Sequence, residues 1–243
     1  MVLYFIGVGL NDEKDISVKG LEAVRKCSKV FLESYTSKLN CSVGKLEKFY
    51  GQKVVLADRE MVEKMAEVIL KDALKKDVAF LVIGDVFSAT THVDLMLRAK
   101  EKGIKVKVIH NASILTAVGV TGLELYKFGK VTSIPFDNEN VKSPVDVLKG
   151  NQKLGLHTLF LLDLDPIENK FLSIKEGIQY LIKNKIKNDT LAVACARLGS
   201  EEPVIKVGKL KELEKVKIDK FPQCLIIPGK LHFMEEDALK AYN

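Results

Sequence analysis

Arginine is scarce in this chain. Of its 38 basic residues only four are arginine (Arg25, Arg59, Arg98 and Arg197), so lysine carries the net charge of +6. Surfaces that read phosphates and base edges favour arginine, whose planar fork grips them in pairs. Lysines scattered along helices and alternating with Glu and Asp read as a solvated surface, one that can still dock an acidic protein. Nucleic-acid binding is therefore not expected.

Cysteine is equally uninformative as a ligand. Cys27, Cys41, Cys195 and Cys224 form no C-x-x-C pair and have no histidine at zinc-ligand spacing. Cys195 and Cys224 sit in apolar, strand-like runs, where a thiol behaves as a small core residue. A reducing, cytoplasmic setting fits that usage. Long apolar runs are missing, so no membrane span is expected. The opening MVLYFIGVGLNDEKD lacks a basic leader and turns acidic at once, which reads as a first strand rather than a signal peptide. Repeats, low-complexity tracts, a P-loop, a serine-hydrolase elbow and metal-type clusters are all absent. The four histidines, His92, His110, His157 and His232, are dispersed and read as structural residues without indicated partners.

What is present is a strand–helix alternation. With 243 residues, 47% of them hydrophobic, the chain can build one large or two ordinary domains. Val2–Ile6, Val30–Leu32, Val54–Ala57, 78–83 and 105–109 read as strands. Helices are predicted over Ser17–Cys27, over Asp58–Leu74 with Met61, Met65, Val68, Ile69 and Leu74 near one face, and over 90–102. That order implies a mostly parallel sheet. A helix over Ala112–Val120 then leads into a different pattern. Strands are predicted at 131–134, 157–163, 190–196, 204–208 and 223–227, with helices at 143–149 and 173–183. The last strands follow one another without a helix, which favours antiparallel pairing in a second, mixed sheet. The expected fold is α/β in two domains, 1–112 and 113–243.

The most informative block runs from Asp77 to Leu123. Its two apolar strands end in polar turns, Gly84-Asp85 and Asn111-Ala112-Ser113, which read as two adjacent turns. In open α/β sheets ligands bind at such carboxyl ends. Asp85 could cap the helix starting near Thr90 or face a cationic or hydroxyl-bearing ligand, and Ser113 is likewise an N-cap or a ligand contact. Gly7-Val8-Gly9 suits either a structural turn or a ligand contact. As a dinucleotide fingerprint it is weak, because Asp12 replaces the third glycine, although Glu33 could meet a ribose.

Several short segments, in order along essentially the whole chain, carry a resemblance. They are Tyr4-Phe5-Ile6-Gly7-Val8-Gly9-Leu10, Asp15-Ile16-Ser17-Val18-Lys19-Gly20-Leu21, Gly84 to His92, His110-Asn111-Ala112-Ser113-Ile114, Tyr126-Lys127-Phe128-Gly129, His157-Thr158-Leu159, Ala196-Arg197-Leu198-Gly199 and Pro228-Gly229-Lys230-Leu231-His232. Together they closely resemble the diphthine synthases, within the tetrapyrrole-methylase-like superfamily of S-adenosylmethionine-dependent methyltransferases.

The resemblance implies two α/β domains with S-adenosylmethionine in the cleft between them, and a homodimer. It implies cofactor contacts at Leu10, Asp85, Ser88, Ser113, Ile114, Leu162, Leu198 and Gln223, with no metal and no assigned catalytic residue. The implied substrate is translation elongation factor 2, on a histidine already carrying a 3-amino-3-carboxypropyl arm. Three N-methyl groups are expected. The His110–Ile114 and Glu47-Lys48-Phe49-Tyr50-Gly51 segments look nearer to eukaryotic members, which implies a fourth methyl as an ester. Val86 departs from the proline usual after Gly-Asp, which would stiffen the turn. Catalysis is expected to be mainly positional, with Asp85 shaping the pocket and solvent or substrate taking the proton. The competing readings are a tetrapyrrole-type small-molecule methylase, a dinucleotide-binding oxidoreductase, and a non-catalytic partner-binding protein.

Overall fold

The first apolar run forms strand β1 (Val2–Gly7), and the rest of the amino-terminal half is wound around it. The computed structural model describes residues 1–242. Along the chain come α1 (Val18–Lys26), β2 (Lys29–Glu33), α2 (Val43–Tyr50), β3 (Val54–Ala57), α3 (Arg59–Glu63), α4 (Glu67–Ala73), β4 (Val78–Val82), α5 (Val93–Glu101) and β5 (Lys105–Ile109). The five strands form one sheet in the order β3-β2-β4-β1-β5, and every pairing in it is parallel. Residues of α1 and α2 such as Val24, Leu46 and Tyr50 bury against Ile6 and Leu32. Residues of α3, α4 and α5 such as Val62, Ile69 and Leu95 bury against Leu3, Phe5 and Phe80. Central β4 is consequently buried at every position, as expected of a parallel strand covered on both faces.

The helix predicted over Asp58–Leu74 is two helices, α3 and α4, interrupted at Lys64–Ala66. Its buried stripe also differs from the expected one. Val62, Ala66, Ile69, Leu70 and Ala73 are in the core, whereas Met65, Val68 and Leu74 are more than 40% exposed. Small residues at helical spacing let this segment lie close to the sheet, so the larger apolar side chains do not mark the buried face. Helix α2, capped by the Ser42 side chain accepting the Lys45 N–H, has no counterpart in the prediction.

After Ile109 the pattern changes. The predicted 112–120 helix is the short α6 (Ile114–Ala117) followed by a 3-10 turn, Val118–Thr121, that stops at Gly122 with φ of 84°. A second 3-10 turn covers Leu125–Lys127. Then follow β6 (Thr132–Ile134), α7 (Ser143–Lys153), β7 (Thr158–Leu162), β8 (Leu164–Asp165), β9 (Lys170–Phe171), α8 (Ile174–Lys183), β10 (Leu191–Ala196), β11 (Val204–Lys209), α9 (Leu210–Leu213), β12 (Gln223–Ile227) and α10 (Phe233–Lys240).

The second sheet has the order β11-β10-β12-β7-β6, antiparallel except for the parallel β6–β7 pair. It is the mixed sheet expected. Its core gathers Leu148, Phe160, Ile178, Leu181, Leu210 and Leu225. The single-turn α9 interrupts the predicted helix-free run, and α10 was not predicted. Two compact units result, Met1–Leu115 with Asp165–Glu168, and Thr116–Leu164 with the chain from Asn169 onward.

Cys27, Cys195 and Cys224 are buried free thiols, with Cys195 opposite Cys224 in the β10–β12 register. Among the described residues no group of His, Cys, Asp and Glu could hold a metal ion, and no helix is long and apolar enough to cross a membrane.

Candidate functional site

Strands β4 and β5 are not neighbours, because β1 lies between them, yet the turns that follow them meet across it, as the sequence suggested. Three turns therefore line up at the carboxyl ends of the central strands: Gly7-Val8-Gly9 in the middle, Ile83-Gly84-Asp85 on one side and His110–Ser113 on the other. This is the edge at which ligands of open α/β sheets bind.

Backbone contacts weld the first two turns. The Gly84 N–H donates to the Gly9 carbonyl at 2.7 Å, and the Gly9 N–H to the Gly84 carbonyl at 3.3 Å. Both glycines are left-handed, with φ of 82° and 84°. Such close approach excludes side chains. A Cβ on Gly7 would lie 2.7 Å from the Gly84 carbonyl oxygen and 2.8 Å from Asn111 Cβ. Around Gly84 itself there is more room, with Leu10, Ala112 and Ser113 atoms 3.7–3.9 Å from such a Cβ. Gly84 is thus where Leu10 and Ser113, two of the expected cofactor residues, come together.

The loop from β1 to α1 is closed by its own acid. Asp15 Oδ2 accepts the N–H groups of Leu10 (3.0 Å) and Asn11 (2.7 Å). Asn111 Nδ2 donates to the carbonyls of Gly7 and Asp15, each at 3.0 Å. These bonds decide against the dinucleotide reading. The amides that would cradle a pyrophosphate already hold a carboxylate, and α1 starts only at Val18, well beyond the turn. Glu33, the candidate ribose ligand, is fully buried. Its carboxylate accepts from the Thr36 hydroxyl and from the N–H groups of Tyr35, Thr36 and Ile83. Burial pushes its pKa up against these bonds, which pull the other way. It is a staple between the ends of β2 and β4.

Asp85 ties the outer turns together across β1. Oδ1 accepts the Asn111 N–H at 2.9 Å and lies 2.9 Å from His110 Nδ1. Oδ2 accepts the Ser88 hydroxyl at 3.3 Å and, weakly, the Phe87 N–H at 3.5 Å. Burial pushes the Asp85 pKa up, but the Asn111 amide and His110 outweigh it and hold the carboxyl below its ordinary range. The cap reading is not realised: α5 begins at Val93 behind His92, and no side chain caps it. Val86, at the position of the missing proline, is fully buried in the first unit's core.

Leu10, Asp85, Ser88, Ser113 and Ile114 thus all belong to the first unit, at or beside these turns. Leu162, Leu198 and Gln223 belong to the second, at the end of β7, after β10 and at the start of β12. All three are buried. The Gln223 amide is engaged in its own unit: Oε1 accepts the Ile174 N–H at 2.7 Å, and Nε2 donates to the carbonyls of Ile218 and Lys220. Its side chain is thus committed within its own unit.

The histidines are not partnerless, contrary to the sequence reading. His92 is fully buried between Thr90 (2.8 Å from Nδ1) and Tyr35 (3.4 Å from Nε2). Burial lowers its pKa to about 4. His157 accepts the Gly229 N–H on Nδ1 and therefore donates from Nε2 to Glu235 Oε1 at 2.8 Å. His232 caps α10. His110, with a side chain 71% exposed, and the capping His232 both face solvent. Asp15, Asn111 and His110 carry no sequence signal as a group, since their partners are distant in the chain.

A family model described as Tetrapyrrole (Corrin/Porphyrin) Methylases matches residues 2–214. The diphthine methyl ester synthase of Homo sapiens is 45% identical over 271 residues, covering 100% of this chain and 95% of that one. The diphthine synthase of Methanococcus maripaludis is 43% identical over 249 residues, covering 98% of each. A crystal structure of diphthine synthase matches with a TM-score of 0.94 and 41% identity, over 100% of this chain and 96% of the other.

Proposed function

Because this chain belongs to the tetrapyrrole (corrin/porphyrin) methylase family, we propose that it is a diphthine synthase, an S-adenosylmethionine-dependent methyltransferase of diphthamide biosynthesis. Its substrate is the 3-amino-3-carboxypropyl-histidine arm on translation elongation factor 2. Three methyl groups go to the amine and a fourth to the carboxylate as an ester.

The observation that carries this reading is the convergence of three turns on the space beside Gly84, with an ionised Asp85 at its edge. S-adenosylmethionine supplies, when bound, an electrophilic methyl on a positively charged sulfonium. The donor set suits it. Leu10 offers apolar surface, the Ala112 carbonyl and the Asp85 carboxylate favour positive charge, and Ser88, Ser113 and Ile114 complete the wall. In the second unit the proposed contacts are Leu162, Leu198 and the backbone of Gln223. Asp85, tied to both outer turns, holds the geometry of the wall. The carbonyl and glycine contacts leave little slack there. Such positioning contributes on the order of 7–11 kcal/mol to an in-line transfer in favourable cases. A homodimer working in the cytoplasm completes the proposal.

Mass spectrometry of precursor-bearing elongation factor 2 after incubation with the enzyme and S-adenosylmethionine tests it. Gain of three or four methyl masses is the expected result, the fourth being removed by mild alkali. Thermal stabilisation by S-adenosylhomocysteine but not by NAD is expected alongside. A protein that binds S-adenosylhomocysteine but leaves the elongation factor unchanged overturns the substrate, and one stabilised only by NAD overturns the activity.

A further inference from the structure

The proposed reaction has an unassigned proton. The substrate amine is an ammonium at neutral pH and must be deprotonated before each N-methylation, whereas a carboxylate attacks as it is. Resting on the proposed function, we infer that His110, oriented by Asp85, accepts that proton from the substrate.

The geometry singles out this histidine. Asp85 is held ionised and can only accept, so the 2.9 Å contact requires His110 Nδ1 to carry the hydrogen. Nε2 is then the basic nitrogen, and among the described residues it has no partner. The ring is anchored at one nitrogen and solvent-accessible at the other. His92 and His157 are buried with both nitrogens engaged, and His232 uses Nδ1 to cap its helix. A carboxylate that fixes the tautomer and stabilises the imidazolium is the arrangement that general bases need. His110 also stands at the carboxyl end of β5, immediately before the Asn111–Ser113 turn of the donor wall.

The other charged groups near it are committed elsewhere or lie further along the strand. Asp15, from the β1–α1 loop, holds the Leu10 and Asn11 amides, and Asp12 accepts from Asn11 and Lys14. Lys105 and Lys107 are on β5 itself. Among the described residues Asp85 is the only titratable group in hydrogen-bond contact with His110.

The step balances. The substrate ammonium gives one proton to His110 Nε2. The freed nitrogen lone pair forms the new C–N bond while the methyl C–S bond breaks, its electron pair going to sulfur. The imidazolium then releases its proton to solvent. Three N-methylations need three such transfers, and the ester needs none.

His110→Asn keeps a donor for Asp85 and removes the proton-accepting nitrogen; His110→Ala removes both. The test measures the first methyl addition to precursor-bearing elongation factor 2 from pH 6.5 to 9.5 at saturating S-adenosylmethionine. It also measures S-adenosylhomocysteine binding by each variant. Both variants should bind like the wild type and lose about 100-fold or more in rate at neutral pH. That deficit should shrink as rising pH supplies free amine. Equal rates, or a deficit constant across pH, overturn the role of His110 and leave the proposed function standing. No transfer by the wild type overturns both.

Discussion

Gly9 and Gly84 exchange both of their backbone hydrogen bonds, at 2.7 and 3.3 Å, although they follow different strands. Both adopt the left-handed region that favours glycine. This bridge is the base on which the three-turn wall is assembled, and its two members differ in what surrounds them.

Gly9→Ala should damage the fold. Its Cβ would fall 2.4 Å from Asp15 Cβ, so Asp15 would have to move and release the Leu10 and Asn11 amides. Left-handed strain and the lost bonds together should cost about 2–4 kcal/mol, visible in urea unfolding. Gly84→Ala has ordinary contact distances of 3.7–3.9 Å and should cost only about 1–2 kcal/mol. It should nonetheless weaken S-adenosylhomocysteine binding at least as much as Gly9→Ala does, because it fills the space beside Leu10 and Ser113. Calorimetry showing full affinity in Gly84→Ala would place the donor elsewhere.

Asp85→Ala should separate the outer turns. It leaves the Asn111 N–H and the Ser88 hydroxyl without their acceptor, a loss of about 1–3 kcal/mol. Asp85→Asn retains one acceptor oxygen and should recover part of that stability while still lowering transfer rate. Unfolding midpoints and initial rates of the two variants distinguish scaffold from charge.

Acid should destabilise the protein in two stages. His92 is pulled down to about 4, so between the ordinary histidine range and pH 4 the unfolded chain binds a proton that the fold refuses. Stability present above about pH 6.5 is lost across that window, on the order of 3 kcal/mol. His157 is lowered by burial too and acts in the same direction. Glu235, despite a burial penalty, is held down to about 2 by Lys127, the Glu124 and His232 amides and His157. Its contribution is complete above about pH 4.5 and is lost as pH falls from there toward 2. Unfolding free energies should therefore hold from pH 8 to about 6.5 and decline from there to pH 3, and His92→Gln should flatten the upper part of that decline.

Glu235→Gln should be a stability variant rather than an activity one. Glu235 is fully buried and takes bonds from His157, Lys127 and two backbone amides, joining α10 to the Leu125–Lys127 turn and β7. Losing its charge leaves the Lys127 ammonium only the longer contact to Glu124, 3.8 Å, at a cost of about 1–3 kcal/mol. Denaturant titration should register the loss, while the transfer rate of the folded fraction stays within about twofold of wild type.

The strands of the first sheet were legible because β4 and its neighbours are continuous apolar runs bounded by glycine and polar turns. In the Asp58–Leu74 segment apolar size is a poor guide to the buried face, because Ala66 and Ala73 join Val62, Ile69 and Leu70 in the core while Met65, Val68 and Leu74 stay exposed. Helix α10 went unseen because its first turn exposes Phe233 and Met234, and its cap is a histidine. At the site, Asp85 and Ser113 stood out as polar residues closing apolar strands. Their relationship to Gly9 did not, since strand order is not encoded in local pattern.

The sequence by itself determined the α/β alternation, the passage to a mixed sheet and the ordered motifs of a methylase family. These are local properties, set by hydrophobic period, turn chemistry and residue type. Only the tertiary structure decided that β1 separates β4 from β5, that Asp15 fills the anion-binding turn, and that Asp85 gives His110 a fixed nitrogen and a free one. Those outcomes depend on hydrogen bonds between residues far apart in the chain, which exist only once the strands have found their order.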